Sequence, residues 1–173
     1  MQKIKYKKQF ITWVVRHIRL VQDLAVILEL NLNKLPFKIE EWEILNRCMQ
    51  HDLDKFQTNK ADGYVKLEEY LDNKRNNINN NYIDKSTLYN CSNMHYNTQR
   101  HHTQYHDINN EEYSNIDICE ICCDIFAESI IKNEGDCGKG YCLNTLFPNN
   151  PKLNKQKDNI FKIFDLLAEN YNS

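Results

Sequence analysis

The chain has 173 residues, enough for one domain with a substantial core. Its net charge of −2, from 22 Lys and Arg against 24 Asp and Glu, argues against a broad basic surface for nucleic acid. Hydrophobic residues make up 41% and charged residues 27%, as in an ordinary globular protein, and only 4 Gly and 3 Pro favour helices over a turn-rich β fold.

The longest apolar stretches are broken by Arg, His, Gln and Asp, so no segment is expected to span a membrane. The basic start of the chain leads into a stretch, Trp13 to Leu30, that carries Arg16, His17, Arg19, Gln22 and Asp23. That pattern predicts an amphipathic helix and not a secretory leader. The 7 Cys are then expected as free thiols in a reducing compartment, the cytoplasm, or a host cytoplasm if the source is viral.

Residues 5–30 predict a long first helix, with Phe10, Trp13, Val14, Val21, Leu24 and Leu28 on one face. His17 lies inside that apolar stripe. It is either a core histidine satisfied by one hydrogen bond or an inward-pointing metal ligand. Asn31 to Leu35 predict a turn, and Pro36 suits the first turn of a second helix over about 37–54. Ile44, Cys48, His51 and Lys55 share one face of that helix, with Leu45 and Asp52 beside it. The adjacent His51 and Asp52 therefore face the core. An imidazole nitrogen and a carboxylate oxygen offered to one point suit a first-row divalent ion; the alternative is a solvated helix end.

A short helix is expected at 61–73, an Asn-rich mobile loop at about 72–81, and a further short helix at 82–94. Residues 95–106 then hold four of the 6 His: His95, His101, His102 and His106. Neutral imidazoles are common transition-metal ligands; a surface His tract is the plain alternative. Ser114 or Asn115 is expected to cap a helix at 115–132 that is apolar round most of its circumference and so buried on more than one side. Its remaining stripe is Asp117, Glu120, Asp124 and Glu128, either a solvated acidic edge or in part the wall of a cationic interior site. Residues 133–150 predict a loop, and 155–170 a last helix with Ile160, Ile163, Phe164 and Leu167 inward. The expected architecture is all-α, one domain over 1–173. Its core spans about 5–132, and a C-terminal loop and helix occupy 133–173.

If His17, His51, Asp52 and Asp124 converge, they offer two imidazoles and two carboxylates to one ion. That mix suits Mn, Fe, Co, Ni or Zn better than Ca. If His95 and His101 reach Asp52 from its other side, a second ion can share that carboxylate, and two such ions clamp a phosphoryl group and acidify a water. Lys55, one turn beyond the pair, is a candidate to neutralise a phosphate oxygen. His102 and His106 are candidates for proton transfer or phosphate contact.

The order His, His-Asp, a His group and a distal Asp resembles the HD superfamily of metal-dependent phosphohydrolases. His51-Asp52-Leu53-Asp54-Lys55 is similar to the His-Asp-x-Gly-Lys of its cyclic-dinucleotide branch. The chain more closely resembles an uncharacterised family of small HD-like proteins from bacteria, phages and large viruses. The matching segments are His17-Ile18-Arg19-Leu20-Val21, His51-Asp52-Leu53-Asp54-Lys55-Phe56, His95-Tyr96 through His101-His102, and Ile118-Cys119-Glu120-Ile121-Cys122-Cys123-Asp124-Ile125. Together they span roughly 13–132. The chain departs from that pattern at Asp54 (Ser), Gln99 (Asn), Thr103-Gln104 (Pro-Glu) and Ile125 (Trp), leaving every candidate ligand in place.

The resemblance implies a helical HD-type bundle that hydrolyses a small phosphorylated substrate, a nucleotide among the candidates. A di-iron HD oxygenase and a non-catalytic HD scaffold that binds a nucleotide or partner protein are the alternatives. Neither the resemblance nor the residues specify an oligomeric state. A competing reading uses Cys119-x-x-Cys122 with Cys137-x4-Cys142, close to structural-zinc spacing. Their helical, apolar surroundings instead predict buried hydrophobic thiols.

Overall fold

A computed structural model describes residues 2–171; residues 1, 172 and 173 of the expected domain lie outside the described residues. All regular structure in the described residues is helical, around one main core, so the all-α single-domain expectation holds. Helix α1 runs Gln2–Glu29, α2 Glu43–Cys48, α3 Thr58–Arg75, α4 Lys85–Tyr96, α5 Thr103–Asn109 and α6 Asn115–Lys132. Three short pieces follow, α7 Lys139–Tyr141, α8 Phe147–Asn149 and α9 Pro151–Asn154, and α10 Lys157–Tyr171 ends the fold.

Helix α6 is the central post. It packs on α1, α2 and α10, and α1 also packs on α2, α3 and α10. Its start is fixed by a reciprocal cap: Ser114 Oγ accepts from the Asp117 N–H, and Asp117 Oδ2 accepts from the Ser114 N–H. Along α1, Tyr6, Phe10, Val14, His17, Val21, Leu24 and Leu28 are buried at three- and four-residue steps, the stripe a core-facing helix requires. The stripe touches two apolar clusters. Tyr6, Phe10, Val14 and Ile18 meet Val65 of α3, whereas Val21, Leu24 and Leu28 join the larger core of α2, α6 and α10. His17 lies at the seam between them.

Three expectations need correction. The second helix does not run 37–54, and Pro36 does not start it. Pro36 sits in an irregular stretch after a 3-10 turn at Leu32–Lys34, and α2 is confined to six residues. Left-handed backbone at Trp42 (φ 72°) and Asp52 (φ 59°) brackets that short helix. A second 3-10 turn, Leu53–Phe56, then carries Lys55.

The Asn-rich segment 72–81 is a loop only from residue 76, because α3 continues to Arg75. The buried Asn73 donates through Nδ2 to Asn80 Oδ1 at 3.0 Å and to Tyr82 Oη at 2.7 Å, and Asn80 Nδ2 donates to the Tyr70 carbonyl at 3.1 Å. Asparagine side chains here do the pairing that the lost periodicity concealed.

Residues 139–149 are helical rather than loop, with a π turn at Cys142–Leu146 joining α7 to α8 and Pro148 placed in the first turn of α8. Gly138 sets up that segment at φ 83°, where an added Cβ would collide with Ile125 Cγ2. No helix of the described residues is long and apolar enough to cross a membrane.

Candidate metal centre

The functional side chains come from elements far apart in sequence. His17 sits midway along α1, His51 and Asp52 follow α2, His95 is in the last turn of α4, and His101 and His102 lead into α5. Asp124 is in α6. The left-handed backbone at Asp52, a conformation Asp tolerates better than most residues, breaks the helical path so that two consecutive side chains turn to the same interior point.

The first group forms round His17 Nε2. That atom lies 3.2 Å from His51 Nε2, 3.0 Å from Asp124 Oδ1 and 3.5 Å from Asp52 Oδ2. His51 Nε2 is 3.5 Å from Asp124 Oδ1 and 3.7 Å from Asp52 Oδ2. The second group uses the other oxygen of Asp52: Oδ1 is 3.1 Å from His95 Nε2 and 3.5 Å from His101 Nε2. His102 Nε2 lies 2.8 Å from His95 Nε2, so His102 joins this donor group. Asp52 therefore presents one oxygen to each group.

The outer ring nitrogens meet carboxylates. His51 Nδ1 hydrogen-bonds Glu120 Oε1 at 3.1 Å, and His101 Nδ1 is 3.1 Å from the same oxygen. His95 Nδ1 bonds Asp54, with both carboxylate oxygens at 3.0 Å. Holding Nδ1 in this way turns each Nε2 toward the other donors, the orientation an ion there would need. Glu120 is steadied in turn by Arg47 Nη1 on Oε2 at 3.3 Å. Arg47 and Arg100 both reach Asp117, Arg100 through two parallel bonds of 2.9 and 3.0 Å. The acidic stripe of α6 is thus no solvated edge: Asp117 and Glu120 are buried on cations and imidazoles, and Asp124, one-fifth exposed (19%), borders the centre.

Two residues in these roles escaped the sequence. Glu120 is one helical turn before Asp124 on the stripe already noted, and Asp54 is two residues past Asp52. The nearness of each to a proposed ligand was the available signal.

The charges reinforce one another. Burial alone would lower the His51 pKa, but the carboxylates of Asp52, Asp124 and Glu120 raise it well above the usual imidazole value. Burial would likewise raise Asp52 and Asp124. The histidines beside both, with Lys55 also beside Asp52, hold them well below the carboxylate range. Glu120 and Asp54, pushed up by burial and down more strongly by their histidine partners, fall to about 2. His102 moves the other way. Burial and the neighbouring His101 lower it well below the usual value, which leaves a neutral imidazole.

A cavity of about 450 Å³ opens beside the two groups. Trp13, Lys55, Tyr96, His102, Lys132 and Tyr141 are among its walls. Lys55 Nζ donates to Asp52 Oδ2 at 2.5 Å, and the rings of Trp13 and Tyr64 lie 5.4 and 5.7 Å from the ammonium. His106, the other candidate for proton transfer, does not line this cavity. It is fully buried behind the site, donating from Nε2 to the Arg100 carbonyl at 2.7 Å and packing on Tyr113 with ring centroids 3.9 Å apart. Its short bond to the 100–106 segment makes it a brace.

The donors could hold a metal ion. Ligand atoms about 2.0–2.2 Å from a tetrahedral ion stand about 3.4 Å from one another, and the first group spans 3.0–3.7 Å. Asp52 Oδ1 and both nitrogens of His101 are buried with no aligned hydrogen-bond partner among the described residues. Buried polar atoms are rarely left so, and a shared cation satisfies the oxygen and the inward nitrogen together. The cysteines do not join in. All seven are free thiols, and no group of converging metal donors among the described residues contains one. Burial raises the Cys119 thiol and pushes Cys142 up to about 12, as expected of inert core thiols.

Neither the curated proteins nor the solved structures give a significant match to this chain. A family match covers nearly all of it, residues 6–164, and takes in every donor of both groups. The chain belongs to that family, the family of unknown function DUF5662.

Proposed function

We propose that the chain is an HD-type, metal-dependent phosphohydrolase acting on a small phosphoester, a nucleotide among the candidates. The observation that carries this reading is Asp52, whose two oxygens face two separate groups of buried imidazoles while Lys55 and an open cavity adjoin them. His17, His51, Asp52 and Asp124 would hold one divalent ion, and Asp52, His95, His101 and His102 a second. Ions at such positions supply Lewis acidity to a phosphoryl oxygen and acidify a water.

The chain's own residues do the rest. Lys55 places a buried positive charge on the cavity wall, where it can neutralise a phosphate oxygen. Lys132, exposed and paired with Glu128 Oε2 at 3.0 Å, adds a second cation to the lining. Trp13, stacked flat on His17 at 5.4 Å, and Tyr96 and Tyr141 give aromatic walls for the body of a substrate. Neutral His102 lines the same cavity, with its imidazole uncharged and so free to donate a lone pair to the second ion.

The test is elemental analysis of the purified chain with Asp124→Ala as comparison, followed by a panel of phosphomonoesters and nucleotides. The expected result is one or two transition-metal ions per wild-type chain, less in the variant, and hydrolysis that a chelator abolishes. Negligible metal in both proteins after reconstitution overturns the reading. Iron whose spectrum changes on exposure to air, with no phosphoester turned over, points to oxygen chemistry instead.

A further inference from the structure

We infer that Glu120 is a positioning residue that couples the two ion sites, because its single oxygen Oε1 holds one imidazole of each. The inference rests on the metal-binding reading above and deepens it. His51 belongs to the group with His17 and Asp124, and His101 to the group with Asp52, His95 and His102; Glu120 converges with these two imidazoles as a third set of possible donors, on their Nδ1 side and so away from the Nε2 atoms that face the first two groups. Their rings sit 4.2 Å apart, tilted by 44°, with both Nδ1 atoms 3.1 Å from Glu120 Oε1. The His51 contact is an aligned hydrogen bond, while the His101 contact has the distance without the alignment. A small turn of the His101 ring, such as an ion at its Nε2 would impose, completes the second bond.

Glu120 is suited to this. It is buried, its other oxygen is taken by Arg47, and it lines a separate cavity with Arg47, Asp54 and Arg100 rather than the one beside Lys55. It therefore acts on a substrate held beside Lys55 only through the two imidazoles. Asp54 provides the contrast. It holds His95 alone, with Lys60 Nζ on its Oδ2 at 2.5 Å, so it addresses one site only. With one oxygen tied to both rings, an ion that orders His51 also fixes the acceptor that aligns His101. Loading of one site then favours loading of the other.

Cobalt titration of the metal-free full chain decides the matter, read by visible absorption and by hyperfine-shifted, solvent-exchangeable imidazole N–H resonances. Wild type is expected to take up two ions, the second more tightly than if the sites were independent. Glu120→Ala should weaken both ions by about 10–100-fold, the usual cost of losing an outer hydrogen-bond partner, and displace two N–H resonances. Glu120→Gln keeps an oxygen acceptor and should recover part of both affinities; Asp54→Asn should weaken one ion only. If Glu120→Ala does not fold, the equal weakening of both ions in Glu120→Gln carries the test. A wild type with two ions in which the Glu120 variants weaken one or neither overturns the coupling and leaves the metal reading standing. A wild type that binds a single ion also overturns the coupling. One that binds none overturns the metal reading as well.

Discussion

Lys55 Nζ meets Asp52 Oδ2 at 2.5 Å in the interior of the protein, and this oxygen is the one that faces His17 and His51. The ammonium and an ion in the first group therefore draw on the same carboxylate oxygen. Removing one partner of a buried pair typically costs about 3–5 kcal/mol. Lys55→Ala should pay close to that in the metal-free protein and less once Mn²⁺ supplies Asp52 with another cation. Thermal melting with and without Mn²⁺ measures the difference. An equal loss in both states would mean that ion and lysine do not share Asp52.

Asp117 should make stability depend on acid. Burial pushes its carboxyl up, but Arg100, Ser114 and Arg47 more than compensate and hold it below its ordinary value. A carboxylate whose folded pKa is depressed stabilises the fold above its unfolded pKa of about 3.9 and loses that contribution as pH falls through the folded value. Asp117→Asn should therefore cost most near neutrality, about 3–5 kcal/mol for a broken buried pair, and the gap to wild type should narrow below about pH 4. Urea unfolding at neutral and acid pH checks this. A gap constant across both would assign the loss to packing rather than charge.

Gly63 sets how closely α3 approaches α4. A Cβ there would stand 2.5 Å from Cys91 Cβ and 2.8 Å from its Sγ, and α4 also carries His95. Gly63→Ala should cost about 1–3 kcal/mol through overpacking, lower the melting temperature, and displace His95 from Asp52. Cobalt binding should then fall by one ion while the His17 group keeps its own. A variant with wild-type melting and two ions would show that α4 can give way freely.

The thiols should be dispensable for metal. Cys137→Ser and Cys142→Ala are expected to leave metal content unchanged, with only Cys142→Ala, a fully buried position, lowering stability. Loss of one zinc together with unfolding would restore the structural-zinc reading.

Much of the fold could be read from the sequence, because apolar spacing in α1, α6 and α10 was strong enough to override everything local. His17 could be nominated since it broke an otherwise apolar stripe. The segment between α1 and α3 misled because its apolar residues kept helical spacing while left-handed residues at 42 and 52 interrupted the backbone; nothing in Trp or Asp announces a positive φ as glycine does. Residues 72–75 and 139–149 misled because Asn, Gly and Pro mark turns on average, whereas here Asn73 is a buried bridge and Pro148 opens a helix. His106 matched its neighbours in sequence and differs from them only in which way its short helix turns it.

Apart from the adjacent His51 and Asp52, the donors of the first group are distant in the chain. His17 and Asp124 meet only because α1 lies along α6, the most extensive helix pairing in the molecule. Closing so long a segment costs entropy that local contacts do not repay, so a core that depends on this pairing is expected to form more slowly than one built from local contacts. A fragment holding His51-Asp52 alone would bind ions no better than a loose peptide. Because only the finished fold offers all four donors, free metal at a hundredfold excess over its dissociation constant would add about 2.7 kcal/mol to the native state. Metal supply would then bear on how long the chain survives proteases.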